Sequence, residues 1–295
     1  MLSNPRITMN AESNILVCTD GSIYSPSVYD HALWAAQRLG SKIHVMHMID
    51  PTHDAGELHN FSGSIGFDAR QNLKTELVNL EAARGKAAKA RSKAILEAAR
   101  NHFQKAEFGN LIVEAIHGHL AESIEENEAD TDLVVIGKRG ESADFKRMHL
   151  GANVERVIRS CHHPVLVASR AFRPIRRVLV AYDGGPSAQK AIDFMMESPL
   201  FRGTELDLLT VGRPHPKVEE SLAEACSRLE KEGYHTRQLH RDGHPEEVFS
   251  QFIGEENIDL LIMGAYGHSR IRQLIVGSTT TTMVRTCRIP ILMFR

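Results

Sequence analysis

The pattern of this sequence runs twice. The apolar run Ile15 to Cys18 leads into Thr19-Asp20-Gly21-Ser22, and Val178 to Ala181 leads into Tyr182-Asp183-Gly184-Gly185. A short, β-branched-rich run that ends in Asp-Gly is the pattern of a buried parallel strand closed by a turn. An amphipathic helical spacing follows each: Val28, Ala32, Leu33, Ala36 and Leu39, then Ala188, Ala191, Ile192, Met195 and Met196. Residues 42–49 match 204–211, Leu133–Gly137 matches Leu260–Gly264, and Arg159–Val167 matches Arg285–Met293. The offset is 163 at Asp20 and Asp183, 127 at Gly137 and Gly264, and 126 at Pro164 and Pro290. The fall from 163 to 127 marks an insertion in the first half, within 51–117. It holds residues 70–107, rich in Ala, Lys, Arg, Leu and Glu, which read as one long helix. The second half has a shorter helix there, residues 217–233, and residues 51–69 read as a loop.

Each half thus reads as strand and helix in alternation, β-α-β-α-β-α-β-α-β. That order implies parallel strands joined by right-handed crossovers, with helices on both faces. The expected fold class is α/β, with two repeated open parallel five-stranded sheets. At roughly 150 residues per domain, 295 residues suit two domains. The basic stretch Arg170 to Arg177 is the seam, so the domains are expected at 1–170 and 171–295.

Composition removes several alternatives. Thirty-five Lys+Arg against 37 Asp+Glu is near neutrality, which speaks against a nucleic-acid binder. Four cysteines without a C-x-x-C pair speak against a disulfide scaffold or a thiolate zinc finger. One Trp and 6% aromatics leave little for a base-stacking platform. No apolar run reaches the 18 residues of a membrane span, and residues 1–13 contain no apolar signal core. The expectation is a cytoplasmic protein without a membrane partner.

Open parallel sheets take ligands at the carboxyl ends of their strands. In the second half three features fall there: Asp183, the Gly264-x-x-Gly267 turn, and Gly277-Ser278-Thr279-Thr280 opening a helix. Glycines let backbone N–H groups approach an anion, and a helix N-terminus with hydroxyls is a ready phosphate site. An Asp at a strand end suits a ribose hydroxyl or a magnesium ion. No G-x-x-x-x-G-K-[ST] loop occurs, so this reads as a nucleotide site of another kind. Asp183 as a helix cap, and the glycines as plain turns, are the alternative readings of the same residues.

The spacing Gly264-x2-Gly267-x9-Gly277-Ser278 resembles the nucleotide signature of the universal stress protein family, and the Asp20 and Asp183 segments resemble its first motif. The resemblance spans both halves and so implies a tandem member. It implies ATP with Mg2+ as ligand and a stress-linked regulatory role exercised through a protein partner. Carried across by motif, Asp183 lies near the ribose or a phosphate-bound metal, and Val211 near the adenine, with Met48 its first-half counterpart. Gly264 and Gly267 line ribose and phosphates, Gly277, Ser278 and Thr279 bind phosphate oxygens, and Gly243 shares the same edge. The first half departs: ten residues separate Gly140 from Gly151, and Ala152-Asn153 replace the hydroxyls. One ATP per chain is therefore expected, in the second half.

Other classes stay open. A slow ATPase or nucleotidyl transferase would use the same scaffold, although no base except His268 lies beside the phosphate loop. A non-nucleotide small-molecule or metal module is the third reading. His44, His47, His53 and His59 are close in sequence, but His44 and His47 face opposite sides of a strand; scattered surface or loop histidines are expected. The final strands, Val165–Ala168 and Ile291–Phe294, would each leave an edge that proteins usually cover. The two halves are therefore expected to pair as an intramolecular pseudo-dimer, with a homodimer of chains as a further step.

Overall fold

The computed structural model describes residues 13–49, 67–138, 152–213, 215–265 and 278–295, without the side chains of 67–74, 81, 152, 153 and 278. The first half runs β1 (Asn14–Thr19), α1 (Ser25–Leu39), β2 (Lys42–Ile49), α2 (Phe67–Lys105), β3 (Leu111–His117), α3 (Leu120–Glu126), β4 (Leu133–Gly137), α4 (Ala152–Ser160) and β5 (Val165–Ala168). The second runs β6 (Arg177–Ala181), α5 (Pro186–Glu197), β7 (Glu205–Val211), α6 (Pro216–Lys231), β8 (His235–Arg241), α7 (Pro245–Glu255), β9 (Leu260–Gly264), α8 (Ser278–Thr286) and β10 (Ile291–Phe294).

The strands form one sheet in the order β3-β2-β1-β4-β5-β10-β9-β6-β7-β8. Within each half all pairings are parallel. The halves meet where β5 and β10 run antiparallel, with Val167 opposite Ile291 and Val165 opposite Met293. The five-stranded sheets expected from the repeat thus continue into one another, and the final strands cover each other's edges.

Both faces of this sheet are buried, so its strands are apolar without interruption rather than alternating. Ile15, Val17, Leu133, Val135, Val178, Val180, Leu260 and Ile262 face one core, shared with α1, α2, α5 and α6. Leu16, Val134, Leu179 and Leu261 face the other, shared with α3, α4, α7 and α8. Each core runs through both halves. Each such side chain contributes roughly 1.5–3 kcal/mol by leaving water.

The long helix α2 has 39 residues, roughly 58 Å at 1.5 Å per residue. Among its described side chains, those buried are Ser92, Ile95, Leu96, Ala99 and Phe103 of the C-terminal part, at helical spacing. From Thr75 to Arg91 no described side chain is buried.

The seam is tied on the α1 side as well. Ser27 donates its hydroxyl to the Ser169 carbonyl at 2.9 Å, and Arg38 donates to the carbonyls of Leu200 and Arg202 at 3.2 and 2.8 Å. His31 meets the Phe172 ring edge-on, 5.0 Å between centroids.

One expectation is corrected. His44 and His47 are not surface or loop residues but buried on β2. His44 Nε2 lies 2.6 Å from the Glu114 carboxylate, and His47 Nδ1 lies 2.9 Å from the Thr19 carbonyl. Central strands of a two-faced sheet have no exposed side, so a polar residue there must find a partner. The second half meets the same demand with Asp207, 1% exposed, held by Arg237 at 2.6 and 2.8 Å and by Arg177 at 3.1 Å. His53 and His59 lie outside the described residues.

Candidate nucleotide edge of the second half

In each half the strand order reverses between its first and fourth strands, β1 and β4, or β6 and β9. The helices after these strands leave on opposite faces of the sheet, which opens a crevice at the strands' C-terminal ends. The second-half candidates lie along that edge.

Asp183 follows β6 by two residues and is exposed. Its Oδ1 accepts a hydrogen bond from the Gly185 N–H at 2.8 Å, a turn that delivers the chain into α5. Asp20 does the same with the Ser22 N–H at 2.9 Å. The helix cap of α5 is Gly185 and carries no side-chain bond. Asp183 therefore shapes the turn before the helix rather than occupying the cap position. Tyr182, 2% exposed, anchors that turn. Its hydroxyl bonds Ser221 Oγ at 2.7 Å, and burial pushes its pKa above the usual tyrosine value.

The glycines after the two aspartates differ in their surroundings. Gly21 and Gly184 both have φ of +73°, which favours glycine over any L side chain. A β-carbon at Gly184 would sit 3.6 Å from Val218 of α6, an ordinary contact. At Gly21 it would sit 2.5 Å from Ile95 of α2. The long helix of the first half thus crowds its turn more closely than α6 crowds the matching turn of the second half.

Val211 ends β7, partly buried against the core that holds α7 and α8. The hydroxyl of its neighbour Thr210 is buried and makes no protein hydrogen bond. Gly243 follows β8 with φ of +133°, and a β-carbon there would meet Val248 at 2.9 Å. Both conformation and space require glycine at this place.

Gly264 is the last residue of β9. Its carbonyl accepts the Thr280 hydroxyl at 3.2 Å, which ties the first turn of α8 to the strand end. Thr279 donates its hydroxyl to Glu246 Oε1 at 2.8 Å. Four threonines in succession form a weak helix by propensity; such tertiary bonds hold it. Gly267 and Gly277 lie outside the described residues, as do Gly140, Gly151 and His268. Ser278 is the first residue of α8.

Sequence reasoning missed Glu246, the bond from Thr280 to the Gly264 carbonyl and the Tyr182–Ser221 contact. Glu246 had a local signal: Pro245-Glu246-Glu247 opens a helix, where carboxylates favour the dipole. That it reaches across to Thr279 is tertiary information. Among the described residues, no three His, Cys, Asp or Glu side chains gather as a metal site. No helix of the described residues is long and apolar enough to cross a membrane.

Fold and edge together define a duplicated, doubly wound α/β protein of the kind whose ligands sit at the carboxyl ends of the strands. The model of the universal stress protein family matches residues 13–169 and again 174–295. The chain belongs to that family. Universal stress protein Slr1230 of Synechocystis sp. is 41% identical over 285 residues, covering 96% of this chain and 99% of its own. Among solved structures, a universal stress protein from Archaeoglobus fulgidus superposes with a TM-score of 0.69 at 20% identity, covering 98% of each chain. One from Pseudomonas aeruginosa superposes at 0.57 and 13% identity, covering 96% of this chain and 92% of its own.

Proposed function

We propose that residues 171–295 form a nucleotide-binding domain that holds one ATP per chain, with Mg2+, and that residues 1–170 form a domain without nucleotide. The occupied state is read by a protein partner in the stress response. One observation carries the reading. Asp183, Val211, Gly243, Gly264 and Thr279 belong to separate segments, yet all fall at the C-terminal edge of one parallel sheet, with Asp183 and Gly264 flanking its switch point between β6 and β9. The donor set fits an adenine nucleotide. The hydroxyl of Thr279 and the N-terminal N–H groups of α8 suit phosphate oxygens. The Asp183 carboxylate suits a ribose hydroxyl or the magnesium that accompanies the phosphates. Bound there, Mg-ATP would supply triphosphate charge at the N-terminus of α8. Ile95 on Gly21 supports leaving the first half without nucleotide.

Calorimetric titration of ATP into the full chain tests this. The expected stoichiometry is one per chain. Gly277→Glu should abolish binding, because its carboxylate competes for the phosphate position, and Gly151→Glu should leave it unchanged. Two ATP per chain, or equal affinity in Gly277→Glu and wild type, would overturn the assignment.

A further inference from the structure

We propose that the projecting part of α2 is a self-association surface, on which a second copy of this chain docks as an antiparallel helix pair. Among the described side chains of the helix, burial begins at Ser92, and those from Thr75 to Arg91 are exposed or half-exposed. That stretch nevertheless carries large apolar side chains in water: Val78 is 55% exposed and Leu80 47%. They are two of only four large hydrophobic side chains exposed to this degree among the described residues. An isolated, solvated helix gains nothing from an exposed Leu80, whereas a facing helix would bury it; Val78, two residues away, lies on the other side of the helix.

The order of residues along the helix selects the partner. A two-fold axis between Ala83 and Arg84 sets Leu80 against the partner's Ala87 and Leu77 against the partner's Ala90. Large meets small in each layer, so the axes can approach to about 8 Å. Leu77, Leu80, Ala83, Ala87 and Ala90 succeed one another at intervals of three and four, the seam spacing of paired helices. A two-fold interface is self-complementary, and this stripe meets itself only when reversed.

Charge selects the same direction. Residues 82–93 hold five basic and no acidic residues, whereas 67–81 hold three acidic and two basic. A parallel pair would stack the basic stretch on itself. The antiparallel pair sets it against the partner's residues 74–85, which hold two acidic and two basic residues, and brings Glu76 beside the partner's Arg91.

Light scattering and sedimentation of the full chain test the proposal. A concentration-dependent dimer is expected, and Leu80→Glu should raise its dissociation constant roughly tenfold or more with unchanged circular dichroism. Glu76→Lys should weaken the dimer, and Glu76→Lys/Arg91→Glu should recover it. Ala83→Cys, beside the axis, should form an intermolecular disulfide under mild oxidation, while Ala90→Cys should not. The four native cysteines are buried and do not compete. A chain that stays monomeric at every concentration overturns the proposal. So does a dimer indifferent to Leu80→Glu, or equal cross-linking at 83 and 90, which marks a parallel pair. Binding of the monomer to anionic lipid vesicles through this segment would also overturn it, by assigning the face to a membrane.

Discussion

Leu166 and Leu292 hold the same place in the two repeats and stand opposite one another across the antiparallel seam. Each is 1% exposed, in the core shared by α1, α2, α5 and α6. A residue paired with its own repeat counterpart marks a pseudo-two-fold axis, so the seam is an internal, covalently linked version of a symmetric dimer contact. The edges that two separate sheets would have exposed are consumed here.

The first prediction concerns cooperativity. Because both cores cross the seam, the halves should unfold in a single calorimetric transition. Leu166→Ala should cost about 2–5 kcal/mol by cavity formation and lower that one transition as a whole. Two resolved transitions, with only one shifted, would show that the halves are energetically separate.

The Glu246–Thr279 bond leads to the second prediction. A carboxylate 2.8 Å from the Thr279 hydroxyl places negative charge near the proposed phosphate position. Glu246→Gln removes that charge and keeps an acceptor. At partly exposed distances of several ångströms the repulsion relieved is about 1 kcal/mol, roughly a fivefold gain in ATP affinity. Calorimetry that finds unchanged or weaker binding would place the phosphates elsewhere.

The third is a pH dependence. His31 is fully buried, and burial holds its pKa below the ordinary histidine value. Its Nδ1–H donates to the Ser27 carbonyl at 2.6 Å, which fixes the neutral tautomer. The folded state therefore binds this proton less readily than the unfolded chain does. Stability should be unaffected well above pH 6.5 and should fall as pH drops below it, down to the lowered folded value. His163, also lowered by burial, adds to the same slope. Denaturant midpoints measured from pH 8 to 5 should fall with pH, and His31→Asn should flatten the slope. An unchanged slope in that variant would assign the effect to other groups.

The fourth concerns the thiols. All four cysteines are buried. Burial pushes Cys18 and Cys161 up to about 12, and raises Cys226 and Cys287 as well. Since the thiolate is the reactive form, a disulfide-exchange reagent at pH 8 should label none of them within minutes in the native protein and all four after denaturation. Rapid native labelling of any one would reveal local opening around it.

The sequence by itself determined the duplication, the α/β alternation and the identity of most strands. Runs such as Leu133–Gly137 and Leu260–Gly264 are apolar because both faces of their sheet are buried, and that demand is written residue by residue. The same holds for Asp183 and Gly184, whose roles in the turn are local. The long helix was legible from its composition and emerged as Phe67–Lys105, since helix propensity acts over short range.

Other features belong to the tertiary structure alone. No local pattern says that β5 pairs with β10, because strand pairing joins residues 124 to 128 apart in sequence and depends on which edge is left open. Burial of His44 beside Glu114, Ile95 pressed onto Gly21, and Glu246 meeting Thr279 are likewise contacts between distant segments. They follow from where whole elements pack. Sequence spacing encodes which face a residue takes; only packing of the elements against one another decides what it meets there.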